Sequence, residues 1–250
     1  MQTPMTSADT PALAGDTPLS PLTLALNTSR GLFLSGLQFP YPTDIKVVSG
    51  KLTLAGASAF PRQLSAGSST LVPANHRFDL LLLPATGVAT TGRCQIALDR
   101  ASTHHGDSRR LLSREAARLV FESPADAWTV ALLAERLSIS VTRLRARLFV
   151  ENAGASYIIR TQRIQHALTM LLTTDLPLAR IAASSGWPNS RALKLALRDG
   201  LLLDPKQIER VQPKPATRSL PEKRFWRASP LLLSGGSRNS RTSGANGISN

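Results

Sequence analysis

The sequence predicts an α+β fold in which a small β-barrel of cupin-like type precedes an all-α module. That module is predicted to contain two helix-turn-helix subdomains joined by a long helix. Three observations predict this arrangement. Short strand-like runs fill the first half of the chain, helical periodicity fills the second half, and one pattern occurs twice. In residues 128–149 and again in 175–197, a short helix, a tight polar turn and a capped second helix follow one another.

These patterns divide the 250 residues into five segments. Residues 1–28 are low in charge and rich in turn-forming residues, so we expect them to be disordered. Residues 29–98 are expected to form a β-rich sensor or dimerisation domain, and 99–112 a polar linker. The double helix-turn-helix module is expected at 113–211. Residues 212–250, rich in proline and then in Ser, Gly, Asn and Arg, are expected to form a disordered basic tail.

The β region is recognised by short runs of strand-forming residues that glycine and proline separate every eight to twelve residues. Such spacing is typical of a small barrel or sandwich. The turn rhythm around a Leu-Val-Pro-Ala-Asn sequence resembles that of a cupin-type barrel. The predicted strand runs lie at 31–39, 45–48, 51–54, 69–72 and 77–83.

The first copy of the repeat begins with apolar residues at i, i+3, i+4 and i+7, which form one face of a helix. They are Val130, Leu133, Ala134 and Leu137. Residues 138–140 form the polar turn, and Ser140 can cap the second helix. Leu144 and Leu148 of that second helix are predicted to return to the same core.

The second copy repeats the pattern about fifty residues later. Leu178, Ile181 and Ala182 form the inner face of its first helix, and residues 184–186 form the turn. Either Asn189 or Ser190 is the predicted cap of the second helix. Leu193 and Leu197 are predicted to close the second core.

Composition favours a polyanionic partner, because the net charge is +14 and the sequence pI is about 11.3. Much of the excess lies in residues 213–250, which hold seven basic residues and one acidic one. The single cysteine, Cys94, excludes an intramolecular disulfide and fits a reducing compartment. No signal peptide is evident, and the longest apolar run, 80–83, is too short to cross a membrane. A cytoplasmic protein without a membrane partner is expected.

Three segments carry a family resemblance. The segments are Leu-Leu-Ala-Glu-Arg-Leu-Ser-Ile-Ser-Val-Thr-Arg-Leu from Leu132, Arg-Ile-Gln-His-Ala-Leu-Thr-Met-Leu-Leu from Arg163 and Ile-Ala-Ala-Ser-Ser-Gly-Trp-Pro-Asn-Ser from Ile181. They resemble the AraC/XylS family of bacterial transcription regulators. The resemblance covers about 125–210. It implies two helix-turn-helix subdomains, a joining helix at about 156–173 and a β-barrel sensor upstream. Arg163 is at a family-matching position, where we expect an ion pair or a cap.

Burial of the apolar face of each second helix leaves a basic outer face for DNA. An arginine there can bond bidentately to guanine, which contributes about 1–3 kcal/mol of discrimination. Arg147 and Arg198, further along each helix, are assigned to phosphate. The two helices should lie about 34 Å apart, so that they read successive major grooves. The predicted DNA-binding residues are Thr142, Arg143, Arg145, Arg147, Ser190, Arg191, Lys194 and Arg198.

The leading hypothesis is therefore a sequence-specific transcription regulator, and more specifically an activator. Its expected partners are double-stranded DNA, RNA polymerase, and a small-molecule effector or protein at the N-terminal domain; a homodimer is also considered. The alternative is a protein-interaction regulator with weak or non-specific DNA binding, because Leu193, Leu197 and Leu202 depart from the family pattern. A cupin-like enzyme is disfavoured, since His76 is the one histidine of the β region. No metal or cofactor is expected.

Overall fold

The computed structural model describes residues 21–56, 61–85, 91–101 and 111–204. These residues form eight β-strands followed by six α-helices, in the predicted order. The strands are β1 (Leu22–Thr28), β2 (Leu32–Leu37), β3 (Thr43–Ser49), β4 (Lys51–Ala55), β5 (Arg62–Ser65), β6 (Ser69–Val72), β7 (Phe78–Leu83) and β8 (Gly92–Leu98). The helices are α1 (Leu112–Glu122), α2 (Val130–Arg136), α3 (Val141–Val150), α4 (Ala155–Thr173), α5 (Leu178–Ser184) and α6 (Ser190–Leu201).

The strands form two four-stranded antiparallel sheets, ordered β1-β8-β3-β6 and β2-β7-β4-β5. This is the strand order of a jelly roll, the double-sheet class that includes the cupins. The prediction of a β-rich N-terminal half followed by helices is confirmed. The described strands make two sheets around one core, however, and not a single closed barrel.

Buried and exposed side chains alternate along the strands, and the buried ones from both sheets form the core between them. In β3, Thr43, Ile45 and Val47 are buried while Asp44 and Lys46 are exposed, which is the period of two expected for a half-buried strand. In β8 the residues that alternate into the core include Cys94. Burial raises the pKa of the Cys94 thiol to about 12.

The prediction that residues 1–28 are disordered is wrong for Leu22–Thr28, which form β1. Leu24 and Leu26 of this strand are buried, and all seven of its residues pair with β8. The low charge of the segment was the basis of the prediction. The strand is stabilised by its hydrogen bonds with β8, which lies some seventy residues away in sequence, so local composition does not reveal it. Residues 1–20 lie outside the described residues.

The helices follow the predicted pattern closely. The joining helix α4 begins at Ala155, one residue before the predicted start, and ends at Thr173 as predicted. Most of the predicted linker (102–110) and the whole predicted tail (212–250) lie outside the described residues, so the predicted domain boundaries stay predictions.

Two apolar cores organise the helices. The smaller core joins α1, α2, α3 and the start of α4, with Leu133, Leu144 and Ile158 among its members. The larger core contains both sheets together with the later part of α4, α5 and α6, so that Leu168 and Leu197 belong to the same cluster as the strands. The second copy of the repeat therefore shares its core with the jelly roll, whereas the first copy does not.

Candidate nucleic-acid interface

The first copy of the repeat is the pair of helices α2 and α3, called the first pair below. Thr129 caps α2, because its Oγ1 accepts a hydrogen bond from the Leu132 amide at 3.1 Å. After α2 the chain turns through Ser138, which has a φ of 54°. Ser140 then caps α3 by accepting from the Arg143 amide at 3.2 Å. The predicted cap of the first copy is confirmed.

Burial of one face of α3 decides which side chains it presents. Leu144 and Leu148 are buried in the smaller core, as predicted. The other side of the helix carries Thr142, Arg143, Arg145 and Arg147, all of them exposed. The structure therefore places these four predicted DNA-binding residues together on one exposed helix.

The second copy is the pair α5 and α6, called the second pair below. Its turn contains Gly186, which has a φ of 73°. Asn189 caps α6, because its Oδ1 accepts from the Ala192 amide at 2.9 Å. Of the two candidate caps, Asn189 is thus the cap and Ser190 is the first residue of the helix.

The outward face of α6 is also basic. Leu193 and Leu197 are buried as predicted, and Leu202 ends the helix in a left-handed conformation with a φ of 55°. The predicted DNA-binding residues of this helix are Ser190, which is half-buried, and Arg191, Lys194 and Arg198, which are exposed. The Arg198 Nε lies 3.9 Å from the Asp199 carboxylate, so the positive charge of Arg198 is partly balanced by this neighbour.

The carboxylate of Glu151, directly after α3, is engaged by backbone amides and not by the arginines of this helix. Glu151, the residue at the end of α3, accepts hydrogen bonds from the Leu112 and Ser113 amides at 2.9 and 2.8 Å. Its carboxylate therefore caps the start of α1 and is not paired with Arg147. Sequence reasoning missed this contact, because the two partners are about forty residues apart and no local motif joins them.

Arg163 of α4 contacts the loop between α1 and α2. Its Nε donates to the Pro124 carbonyl at 2.9 Å and its Nη2 to the Asp126 carbonyl at 2.8 Å, just beyond the end of α1. Burial lowers the pKa of Arg163 below its ordinary value. The expectation of an ion pair or a helix cap is not met, because both acceptors are carbonyls of the loop that follows α1.

A cavity of about 220 Å³ lies where the jelly roll meets α4 and α6. Gln165 of α4 donates to the Gly36 carbonyl at 3.1 Å, and its Oε1 is buried without a hydrogen-bond partner in the described part of the chain. Arg77 from the sheet side and Arg160 from α4 also line the cavity. The Arg160 guanidinium lies 3.8 Å from the Asp199 carboxylate.

Other kinds of site are not apparent in residues 21–56, 61–85, 91–101 and 111–204. No group of three His, Cys, Asp or Glu side chains in these ranges could hold a metal ion. No helix within them has the length and apolar character needed to cross a bilayer. The adjacent histidines of the predicted linker, His104 and His105, lie outside the described residues, so the structure does not test them as metal ligands.

Comparison with solved structures identifies the architecture. The structure of ToxT from Vibrio cholerae at 1.65 Å superposes with a TM-score of 0.60 at 11% sequence identity, covering 78% of this chain and 100% of ToxT. The chain has the ToxT fold. Its resemblance to AraC/XylS regulators is thereby confirmed at the level of the fold.

Two ToxT structures with bound ligands show the same similarity. ToxT from strain SCE256 with an unsaturated fatty acid gives a TM-score of 0.56 at 10% identity, over 75% of this chain and 94% of ToxT. ToxT from strain O395 with (E)-4-(8-methylnaphthalen-1-yl)but-3-enoic acid gives 0.57 at 12% identity, over 76% and 99%. No protein-family model and no curated protein matches the sequence.

Proposed function

We propose that this protein is a sequence-specific DNA-binding transcription regulator that reads two successive major-groove half-sites. The observation that carries the proposal is the exposure of both basic helix faces. In α3 and α6 the leucines that face the two cores are buried and the cations are exposed, while each helix begins at a capping side chain. An exposed, capped, basic helix is what entry into a major groove requires. We infer that the first and second pairs are two helix-turn-helix units.

We assign the contacts by position along each helix. Residues near the start of a recognition helix reach the base edges, so Arg143, Arg145 and Arg191 are the candidates for guanine. Arg147 and Arg198 lie further along and are assigned to phosphates. Thr142, Ser190 and Lys194 complete the set, as hydroxyl or ammonium contacts to bases or backbone.

The first test removes one base-reading arginine from each helix. Arg145→Ala combined with Arg191→Ala should weaken binding to a DNA selected in vitro by about 30-fold or more, because each bidentate contact contributes about 1–3 kcal/mol. Mobility-shift titration measures the affinity, and circular dichroism checks the helix content. The matched control is Lys51→Ala with Arg93→Ala, which removes the same charge from exposed positions of β4 and β8. Equal binding by the two double variants would refute the assignment.

The alternative is a regulator that works through a protein partner and binds DNA without sequence preference. Titration of the selected DNA and of random DNA over a salt series separates the two hypotheses. A sequence reader retains a preference at every salt concentration, whereas purely electrostatic binding falls steeply for both DNAs alike. Transcription in vitro with RNA polymerase from a promoter carrying the selected site then decides whether the protein activates, as we propose.

We further propose that a carboxylate effector binds in the cavity between the jelly roll and the helices. Two ToxT structures contain bound carboxylic acids. In this chain the cavity offers the guanidinium groups of Arg77 and Arg160, and Asp199, which lies 3.8 Å from Arg160, also lines it. A carboxylate pairs well with guanidinium groups in such a setting.

A thermal-unfolding series tests the effector proposal. Palmitoleate should raise the melting temperature of the wild-type protein, because a ligand that binds only the folded state stabilises it. Its methyl ester, which has no negative charge, should not. Arg77→Ala should remove the response to the acid. Equal shifts with acid and ester, or no shift with either, would rule out a carboxylate effector of this kind.

A further inference from the structure

The structure brings both pairs of helices against one guanidinium group, that of Arg163 on α4. The two carbonyls that accept its hydrogen bonds, those of Pro124 and Asp126, belong to the loop between α1 and α2. This loop is the entry into the first pair. Arg163 therefore connects α4 directly to the segment that positions α2.

The loop in turn contacts the first pair through Arg136 of α2 and through Trp128, which belongs to the smaller core. The Asp126 carboxylate lies 3.4 Å from Nη2 of Arg136 at the end of α2. Trp128 donates from its indole nitrogen to the Ser123 carbonyl at 2.7 Å, and the Arg136 guanidinium lies 5.9 Å from the centre of the Trp128 ring. A displacement of the loop would consequently move α2, and α3 with it.

The second pair approaches the same guanidinium from another side. Gly186, in the turn between α5 and α6, lies so close that a Cβ added there would be 2.7 Å from Nε of Arg163 and 3.0 Å from its Cζ. The same Cβ would also collide with the Pro124 carbonyl oxygen. The turn of the second pair thus packs on Arg163 and on the loop of the first pair together.

Among the described residues, neither apolar core contains residues of both pairs. The residues of α2 and α3 belong to the smaller core and those of α5 and α6 to the larger one, while α1 and α4 contribute to both. We propose that Arg163 is the positioning residue that sets the orientation of the first pair relative to the second, and hence the half-site spacing that the protein accepts. The DNA part of this inference rests on the proposed function, whereas its geometric part does not.

The geometric part is tested by a distance measurement in the absence of DNA. Spin labels are attached to the full chain at Ala146→Cys on α3 and Leu195→Cys on α6, two exposed positions. The native Cys94 stays unlabelled, because it is buried. Double electron–electron resonance should give a narrow distance distribution for the otherwise wild-type protein. It should be clearly broader or shifted for Arg163→Met, and unchanged for Arg118→Met, which removes an exposed arginine of α1.

Two further variants keep the test decisive if Arg163→Met folds poorly. Arg163→Lys retains the positive charge but lacks the planar fork that reaches two carbonyls, so it should broaden the distribution to an intermediate extent. Gly186→Ala should also shift the distance distribution, because the added Cβ would push the turn of the second pair away from Arg163 and Pro124. Its control is Gly67→Ala, which also has a positive φ of 86° but no atom within 4 Å of the added Cβ.

The DNA part is tested with a spacing series. The wild-type protein should bind its selected site about tenfold more tightly than the same site with two base pairs inserted between the half-sites, because the insertion rotates one half-site away from its helix. Arg163→Met should reduce this ratio to near one, whereas loss of a merely stabilising residue would weaken both DNAs equally. A wild-type distance distribution and a wild-type ratio in Arg163→Met would overturn the inference. Absence of any sequence preference in the wild-type protein would instead overturn the proposed function.

Discussion

At the scale of single residues, two charged side chains of the helical half form hydrogen bonds with backbone groups. Arg163 bonds to two carbonyl groups and Glu151 to two amide groups. A guanidinium fork matches two acceptors at once, and a carboxylate can accept from two neighbouring donors at a helix start. Because any residue provides such backbone partners, the sequence could not identify the acceptors of Arg163 or the donors to Glu151.

Glu151 offers a stability prediction at this scale. Glu151→Ala should lower the free energy of unfolding by about 1–2 kcal/mol, since it leaves two amides at the start of α1 without their acceptor. Urea unfolding measures the change. Glu135→Ala, which removes an exposed carboxylate from α2, is the control and should change the stability by less than about 0.5 kcal/mol. Equal effects of the two substitutions would show that the cap contributes nothing.

At the scale of secondary-structure elements, the helical pairs were predictable because each carries its signals locally. Ser140 and Asn189 are short polar residues directly before an apolar periodicity, and both are the caps observed. The buried positions Leu144 and Leu193 follow from the same period. Once the buried positions of each helix are known, the remaining positions, which carry the basic residues, must be exposed. Their contact with DNA stays a prediction.

Two features, strand β1 and the two buried glutamines of α4, escaped local reasoning for the opposite reason. Strand β1 is defined by its ladder with β8, a partner far along the chain. In α4, Gln162 and Gln165 are almost fully buried, although their polarity predicts an exposed face. Their amide groups donate to the carbonyls of Gln38 and Gly36, and a polar side chain can be buried where such a partner exists. The sequence gives no indication of which residues of the β half supply these carbonyls.

At the scale of the whole molecule, the jelly roll and the second pair behave as one packed body. Helix α6 contacts β2, and a Cβ added to Gly36 would lie 3.0 Å from the Gly200 carbonyl oxygen. The β half also contacts α1, because Tyr41 donates to the Glu122 carboxylate at 2.7 Å and its ring packs edge-on against Phe121. The first pair contributes no residue of α2 or α3 to this shared core.

This asymmetry predicts the behaviour of a fragment. Residues 111–204 expressed alone should retain amide protection in α2 and α3 but lose much of it in α5 and α6, because the larger core would be opened to water. Hydrogen exchange measured by mass spectrometry on the fragment and on the full chain gives the comparison. Full protection of α6 in the fragment would show that the second pair is stable without the jelly roll.

The common core also has a genetic consequence. Apolar residues of the strands and of the second pair contribute to a single free energy of unfolding, so a cavity made in either part weakens both. A screen for loss of promoter recognition should therefore recover substitutions at buried strand positions such as Leu24 and Ile45, which belong to that cluster. Those substitutions should weaken binding to the second half-site before binding to the first. Stabilising substitutions elsewhere in the sheets should restore it.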